Sequence, residues 1–137
     1  METLKVDEQT AEQEFDRFAE AMALDVDESR MDEDEAKEFK PLKRTFIRAV
    51  QSGALVVNED GEPELSLSKP VNDISTVRFR EPKGADYMQA DKSKKTESMK
   101  KFFMIMASMT DVPVNVYTNM RKRDLKVCQA ITGLFMA

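Results

Sequence analysis

The stretch Ala54-Leu-Val-Val-Asn-Glu-Asp-Gly-Glu-Pro-Glu-Leu-Ser-Leu67 has the pattern of a β-hairpin, with an apolar run at each end and polar residues between them. Asp60-Gly61 favours a tight reversal, because glycine readily adopts the positive φ that such turns require. Leu65 and Leu67 alternate with serines, which is typical of a strand that has one buried face and one face in water.

A third strand is predicted after the hairpin. Residues 74–80 alternate between two faces, and Val77 and Phe79 mark the apolar one. Pro70 and the polar pair Asn72-Asp73 separate this strand from the hairpin. A three-stranded sheet with one apolar face is marginally stable alone, so helices must cover it. The sequence therefore predicts an α+β fold: a small antiparallel three-stranded sheet packed against C-terminal helices, with an acidic N-terminal helical arm.

Four helices are predicted after the sheet. Gly84 or Asp86 begins the first, and residues 96–110 form the second, which ends at Asp111-Val-Pro113. Residues 114–120 form a short third helix.

The last of the four helices begins at Arg123 or Asp124. We interpret Asp86 and Asp124 as helix-start residues, whose carboxylates accept hydrogen bonds from free backbone N–H groups. Gly133 lies inside the final helix, which indicates close packing or a chain end that is easily reordered.

The N-terminal region contains two helical patterns separated by an acidic segment. A short amphipathic helix is predicted from Glu12, with Phe15 and Phe18 on its apolar stripe, and residues 1–11 are expected to be frayed. Residues 25–35 have the composition of a solvated acidic linker, with helix as an alternative toward the end of the segment. Pro41 is suited to the first position of the next helix, since that position needs no N–H donor.

Charge divides the chain into two parts. Residues 1–40 hold 15 acidic and 5 basic residues, a net of −10, whereas residues 41–137 hold 11 acidic and 16 basic residues, a net of +5. We therefore divide the chain into an acidic N-terminal helical arm and linker, 1–40, and an α+β domain, 41–137. The acidic arm is expected mainly to keep the protein soluble, because exposed charge pairs contribute only ~0–1 kcal/mol each.

The amino-acid composition argues against catalysis and metal binding. The chain has no histidine, which removes the commonest general base and the commonest nitrogen ligand for metals, and its single cysteine cannot form an internal disulfide. Cys128 lies in a helical pattern and is read as a buried, inert thiol rather than a reactive one. We expect no enzymatic activity, no cofactor and no metal site.

No run is long and apolar enough to span a bilayer, and base-stacking aromatic patterns are missing, so membrane and nucleic acid are not expected partners.

Methionine is the residue type most indicative of function. Seven of the ten methionines lie between Met88 and Met136. Methionine is unbranched and polarisable, so methionine-rich surfaces suit long, apolar and variable partners, although for each residue alone a place in the core is favoured and several of the set are expected to be core. We predict that the partner-binding residues are Met99, Phe102, Phe103, Met106, Met109, Leu134 and Phe135.

Several short motifs occur in a characteristic order in the C-terminal half: Arg80-Glu-Pro82, Asp86, Thr110-Asp-Val-Pro113, Met120 through Asp124, and Gly133-Leu-Phe135. In this order they resemble the tail assembly chaperones of contractile-tailed bacteriophages. The resemblance covers residues 65–137 and leaves residues 1–40 unexplained. It departs from the family pattern at Leu134, which splits the closing Gly-Phe pair, and at the lysine-rich interval 91–95.

The resemblance implies a binding protein without chemistry of its own. Such a chaperone would bind the long, helical, apolar tape measure protein and keep it soluble before the tail tube polymerises. The tail tube protein and further copies of the chain are additional candidate partners. The expected location is the host cytoplasm during phage assembly, and not the mature virion.

The sequence is also compatible with a second class of function. The acidic arm could belong to an inhibitor that mimics nucleic acid and blocks a host DNA-binding protein. A mimic requires carboxylates at phosphate-like spacing on a rigid surface, whereas residues 25–35 are predicted to be a mobile linker.

Overall fold

The computed structural model describes residues 6–90 and 98–136. The elements in chain order are α1 (Glu8–Ala21), a 3-10 turn (Glu28–Arg30), α2 (Glu33–Ser52), β1 (Leu55–Val57), β2 (Pro63–Val71), β3 (Ile74–Arg78), α3 (Gly84–Ala90), α4 (Ser98–Thr110), α5 (Val114–Thr118) and α6 (Lys122–Met136). The strands form one antiparallel sheet in the order β1-β2-β3. The predicted α+β fold is confirmed.

The predicted hairpin joins β1 and β2. Leu55 pairs with Leu65 and Val57 pairs with Pro63, which places all four side chains on the buried face of the sheet. Gly61 adopts φ +80°, as the turn requires. A Cβ at Gly61 would lie 2.2 Å from the Cβ of Ala21, so the turn also packs directly against the end of α1.

The connection between β2 and β3 is tighter than the sequence indicated. β2 continues through Pro70 to Val71, which pairs with Ile74 across a two-residue turn. Both turn residues have positive φ, 49° at Asn72 and 66° at Asp73, the geometry of a type I′ turn. Asparagine and aspartate tolerate this conformation better than most other residues, so the polar pair forms a turn and not a linker.

Helix α1 begins earlier than predicted. The side chain of Asp7 accepts a hydrogen bond from the backbone N–H of Thr10 at 2.7 Å, and the helix starts at Glu8 instead of Glu12. This N-cap satisfies a donor that would otherwise be unpaired, which explains why residues 8–11 are helical and not frayed. Arg17 extends from α1 to the carbonyl oxygens of Val57 and Asn58, at 2.6 and 2.7 Å.

Helix α2 begins before Pro41, the residue predicted to be its first. Asp32 caps the helix by accepting a hydrogen bond from the N–H of Glu35 at 2.8 Å, and Pro41 lies inside the helix. Three carboxylates in the first turn interact favourably with the positive end of the helix dipole. Part of the predicted acidic linker is therefore a helix start. Gly53 ends α2 in the left-handed conformation, as predicted.

The core lies between the sheet and helices α1, α2 and α6. Phe46 of α2 stacks on Phe18 at 4.9 Å between ring centroids and meets Phe15 edge-on at 5.2 Å. Phe135 of α6 packs edge-on against Phe18 at 5.4 Å. Helices from both sides of the predicted boundary at residues 40 and 41 thus share one hydrophobic core. The division into two domains stays a prediction.

Close contact between α2 and α6 depends on Gly133. A Cβ at this position would lie 3.2 Å from Cδ1 of Leu42, tighter than an ordinary contact. The close packing indicated by the glycine is therefore present, and it positions the C-terminal end of α6 against the N-terminal half of α2.

Candidate functional site

Helices α3 and α4 form a hairpin that is anchored to the sheet by charged side chains. Arg80, which follows β3, donates hydrogen bonds to Asp86 of α3 and to the carbonyl oxygen of Ser108 of α4. The hydroxyl of Ser108 also donates to Asp86. Because Asp86 near the start of α3 contacts Ser108 near the end of α4, the two helices run in opposite directions.

Asp86 is the buried centre of this anchor. Its side chain is 2 % exposed and also accepts a hydrogen bond from the backbone N–H of Lys83 at 2.6 Å. The hydrogen bonds from Arg80, aided by those from Ser108 and Lys83, lower the pKa of Asp86 to about 2, although burial alone would raise it. Asp86 therefore stays ionised at all ordinary pH values.

Asp124 forms a second anchor, between α6 and the sheet. Its carboxylate accepts hydrogen bonds from the backbone N–H of Ser68 at 3.0 and 3.1 Å and from the Ser68 hydroxyl at 2.8 Å. Both aspartates lie in the first turn of their helices, as predicted, but their main partners belong to other elements. Sequence spacing could identify the helix starts, but it carried no information about these long-range partners.

Four of the seven predicted partner-binding residues lie in the core. Met106 and Met109 have no exposed surface, and Leu134 and Phe135 are 3 % and 8 % exposed. Met106 and Met109 could meet a partner only if the core opened, whereas Leu134 borders a surface groove at the end of α6. Spacing alone could not separate buried from exposed members of the α4 stripe, because a core stripe and a binding stripe have the same period.

The remaining three residues of the prediction are accessible to different degrees. Met99 is 60 % exposed, whereas Phe102 and Phe103 are half-buried and pack against the core. The neighbouring helix α3 adds Tyr87 and Met88, which are 40 % and 70 % exposed. We call Tyr87, Met88, Met99, Phe102 and Phe103 the hairpin surface.

Tyr87 and Met88 were missing from the predicted set. The sequence signal available was two adjacent large apolar residues, Tyr87 and Met88, in a short predicted helix; both cannot face the core at once in so short an element. Their position on α3, packed beside α4, became evident only from the tertiary structure.

The hairpin surface is suited to binding and contains no evident chemistry. Isolated exposed apolar side chains are ordinary, but the exposed methionines of α3 and α4, Met88 and Met99, have flexible side chains that can adapt to a partner. Among the described residues, no group of three or more His, Cys, Asp or Glu side chains could hold a metal ion. No helix in the same part of the chain is long and apolar enough to cross a membrane.

The two groups with the most strongly raised pKa are also unsuited to catalysis. Cys128 is completely buried in α6, and burial raises the pKa of its thiol. Burial likewise raises the pKa of Tyr117, whose hydroxyl shares a hydrogen bond with Thr110. Both groups stay neutral, and the buried thiol predicted at Cys128 is confirmed.

Comparison with known proteins gives a family but no individual relative. The family model described as phage tail assembly chaperone proteins, E, or 41 or 14, matches residues 64–137, from the second residue of β2 through α6. No curated protein and no solved structure matches the chain significantly. The matched region contains the hairpin surface and both aspartate anchors, and it spans more than half of the sequence. This chain therefore belongs to the phage tail assembly chaperone family.

Proposed function

We propose that this protein binds the tape measure protein of its phage and keeps it soluble until the tail tube polymerises around it. Family membership supports a role with protein partners in tail assembly. The tape measure protein is the partner that the resemblance to this family implies. The observation that carries the proposal is the apolar, methionine-containing hairpin surface within the family-matched residues.

The physical requirements of such a chaperone fit this surface. A long apolar helical client needs shallow contacts that tolerate many different side chains and that release readily. Met88 and Met99 are flexible, exposed and carried on helices whose orientation is fixed by the Arg80–Asp86 anchor. The side chains can therefore adapt to a client, while the anchor links both helices to the end of β3.

The proposal extends to the absence of catalysis, the place of action and the additional partners. The protein acts without catalysis, in the host cytoplasm during assembly, and the tail tube protein and further copies of the chain are additional candidate partners. The acidic-inhibitor alternative gains no support from the family match. Asp27 and Asp32 cap helical turns and so serve the local backbone.

Co-expression with the tape measure protein of the same phage tests the proposal. An affinity tag on the chaperone should capture a soluble complex, and light scattering should give several chaperone copies per client. Met88→Lys combined with Met99→Lys should remove most of the capture, because a partner contact would desolvate both new charges.

Val56→Lys is the matched control. Val56 lies in β1, outside the hairpin surface and the family-matched residues, and is 58 % exposed, close to the 60 % of Met99. The Val56→Lys variant should capture the client as well as the unmodified protein does. If the unmodified protein captures no client, the proposed function is wrong. If all variants capture equally, the function stands and the hairpin surface is not the binding surface.

A further inference from the structure

A second surface feature lies outside the family-matched hairpin, at the junction of the N-terminal region and the end of α6. It is a groove of about 630 Å³ between residues 24–31, α2 and the C-terminal end of α6. We call it the N-terminal groove. Its volume lies in the range of ordinary binding pockets.

The floor of the N-terminal groove is apolar. Phe39 and Leu134 are buried beneath it, and Leu24, Val26 and Met31 are only partly covered. Met136 at the end of α6 is 44 % exposed and lines the same groove. Such a floor favours a ligand that presents an apolar stripe.

The rim of the groove is acidic. It carries Asp25, Asp27, Glu35 and Glu38 against a single base, Arg30, which is a net of −3. Arg30 lies 3.9 Å from Asp25 and 3.7 Å from Asp27, and these exposed pairs are weak. Negative charge at the rim is therefore largely uncompensated.

The pKa of Glu35 is raised chiefly by Asp32, the cap of α2, which does not itself line the groove. A side-chain hydrogen bond with Asp32, followed by repulsion from its charge, raises the pKa of Glu35, and Asp25 contributes further repulsion. A cation placed at the rim would relieve this repulsion, whereas an anion would increase it.

We propose that the N-terminal groove binds an amphipathic helix of a partner protein, with an apolar stripe on the groove floor and lysine or arginine residues facing the rim. The groove follows α2 from Glu35 to Leu42, about 10 Å of helix. Two turns of a bound helix would span this length, with anchors at i, i+3, i+4 and i+7. Charge complementarity selects a basic helix over an acidic one.

The proposal is independent of the hairpin surface and can be tested without the tape measure protein. The probe is a labelled helical peptide of 14 residues with leucines at the four anchor spacings and lysines beside them. A second peptide carries glutamates in place of the lysines. Fluorescence anisotropy with the full-length protein at low and moderate salt measures both affinities.

The lysine peptide should bind and the glutamate peptide should not. Glu35→Gln combined with Glu38→Gln should weaken binding about fivefold, the effect of removing two exposed charge contacts. Asp16→Asn combined with Glu20→Gln removes the same charge from exposed positions of α1 that do not line the groove, and should leave the affinity nearly unchanged.

A structural readout separates binding in the groove from general charge attraction. Addition of the lysine peptide should shift the NMR methyl signals of Met31 and Met136 and leave that of Met99 in place. No binding of the lysine peptide, equal binding of both peptides, equal loss in both double variants, or shifts confined to the hairpin surface would each overturn the proposal. None of these outcomes depends on whether the tape measure protein is the client.

Discussion

Arg80 and Asp86 form a two-pronged ion pair, with Nη1 and Nη2 of the guanidinium 2.9 and 2.8 Å from the two carboxylate oxygens. The pair links the end of the sheet to the start of α3, and Ser108 extends the link to α4. Orientation of the hairpin surface therefore depends on one buried carboxylate.

Acid should weaken this anchor in a defined pH range. The pKa of Asp86 falls from an ordinary 3.8 to about 2 in the folded protein. A lowered pKa stabilises the fold fully above the unfolded value and loses that effect as the pH falls through the folded value, here from about pH 4 to pH 2. The contribution is about 2 kcal/mol, and urea unfolding at pH 7, 4 and 2.5 should reveal it.

Asp86→Asn is the matched variant for that experiment. It should lower the free energy of unfolding at pH 7 by about 2–4 kcal/mol, because Arg80 is left without its buried partner. The variant should also lose the part of the acid dependence that Asp86 causes. An identical pH profile in both proteins would show that Asp86 is not the group responsible.

Substitutions at the two ends of the second anchor, Asp124 and Ser68, should lower the free energy of unfolding by unequal amounts. Asp124→Ala removes every hydrogen bond that Ser68 donates and should cost about 2–4 kcal/mol. Ser68→Ala removes only the hydroxyl bond and retains the backbone N–H donor, so it should cost about 1 kcal/mol. Equal losses in urea unfolding would contradict this division between backbone and hydroxyl donors.

Gly61 should be almost irreplaceable. Alanine there must adopt φ +80° and place its Cβ on that of Ala21, which should destabilise the protein by about 2–5 kcal/mol. Combining Gly61→Ala with Ala21→Gly removes the collision and leaves the backbone strain. Thermal unfolding should therefore show partial recovery in the double variant; no recovery would mean that the collision contributes little.

Truncation of two methionines of α4 should change stability to very different extents. Met106→Ala creates a cavity in the core and should cost about 2–5 kcal/mol. Met99→Ala, at a position 60 % exposed, should change stability by less than about 0.5 kcal/mol. A large loss for Met99→Ala would indicate that its side chain is buried in solution, for example against another copy of the chain.

Cys128 should be unreactive in the native protein. Burial raises the pKa of its thiol and withholds the thiolate from reagents. A colorimetric thiol reagent should detect no reaction in buffer and one thiol per chain in denaturant. Rapid labelling in buffer would show that α6 opens readily, which would make Leu134 and Phe135 accessible to partners.

The sequence by itself determined the local elements whose signals are carried by neighbouring residues. Alternating apolar residues and Asp60-Gly61 specified the first hairpin, and helical spacing specified α4 and α6, because each of these patterns repeats within a few residues. The order of short motifs around Arg80-Glu-Pro82 likewise identified the family. The start of α2 was predicted wrongly, since Pro41 is a weaker determinant than the cap at Asp32.

Only the tertiary structure decided which apolar residues are exposed and what the buried carboxylates contact. The stripe of α4 contains Met99 and Met106 at compatible spacings, yet one is exposed and the other is buried. Asp124 meets Ser68 across 56 residues, and the N-terminal groove joins residues 24–31 to the end of α6. These relationships depend on how helices pack against the sheet, and a contact between distant residues leaves no periodic signal in the chain.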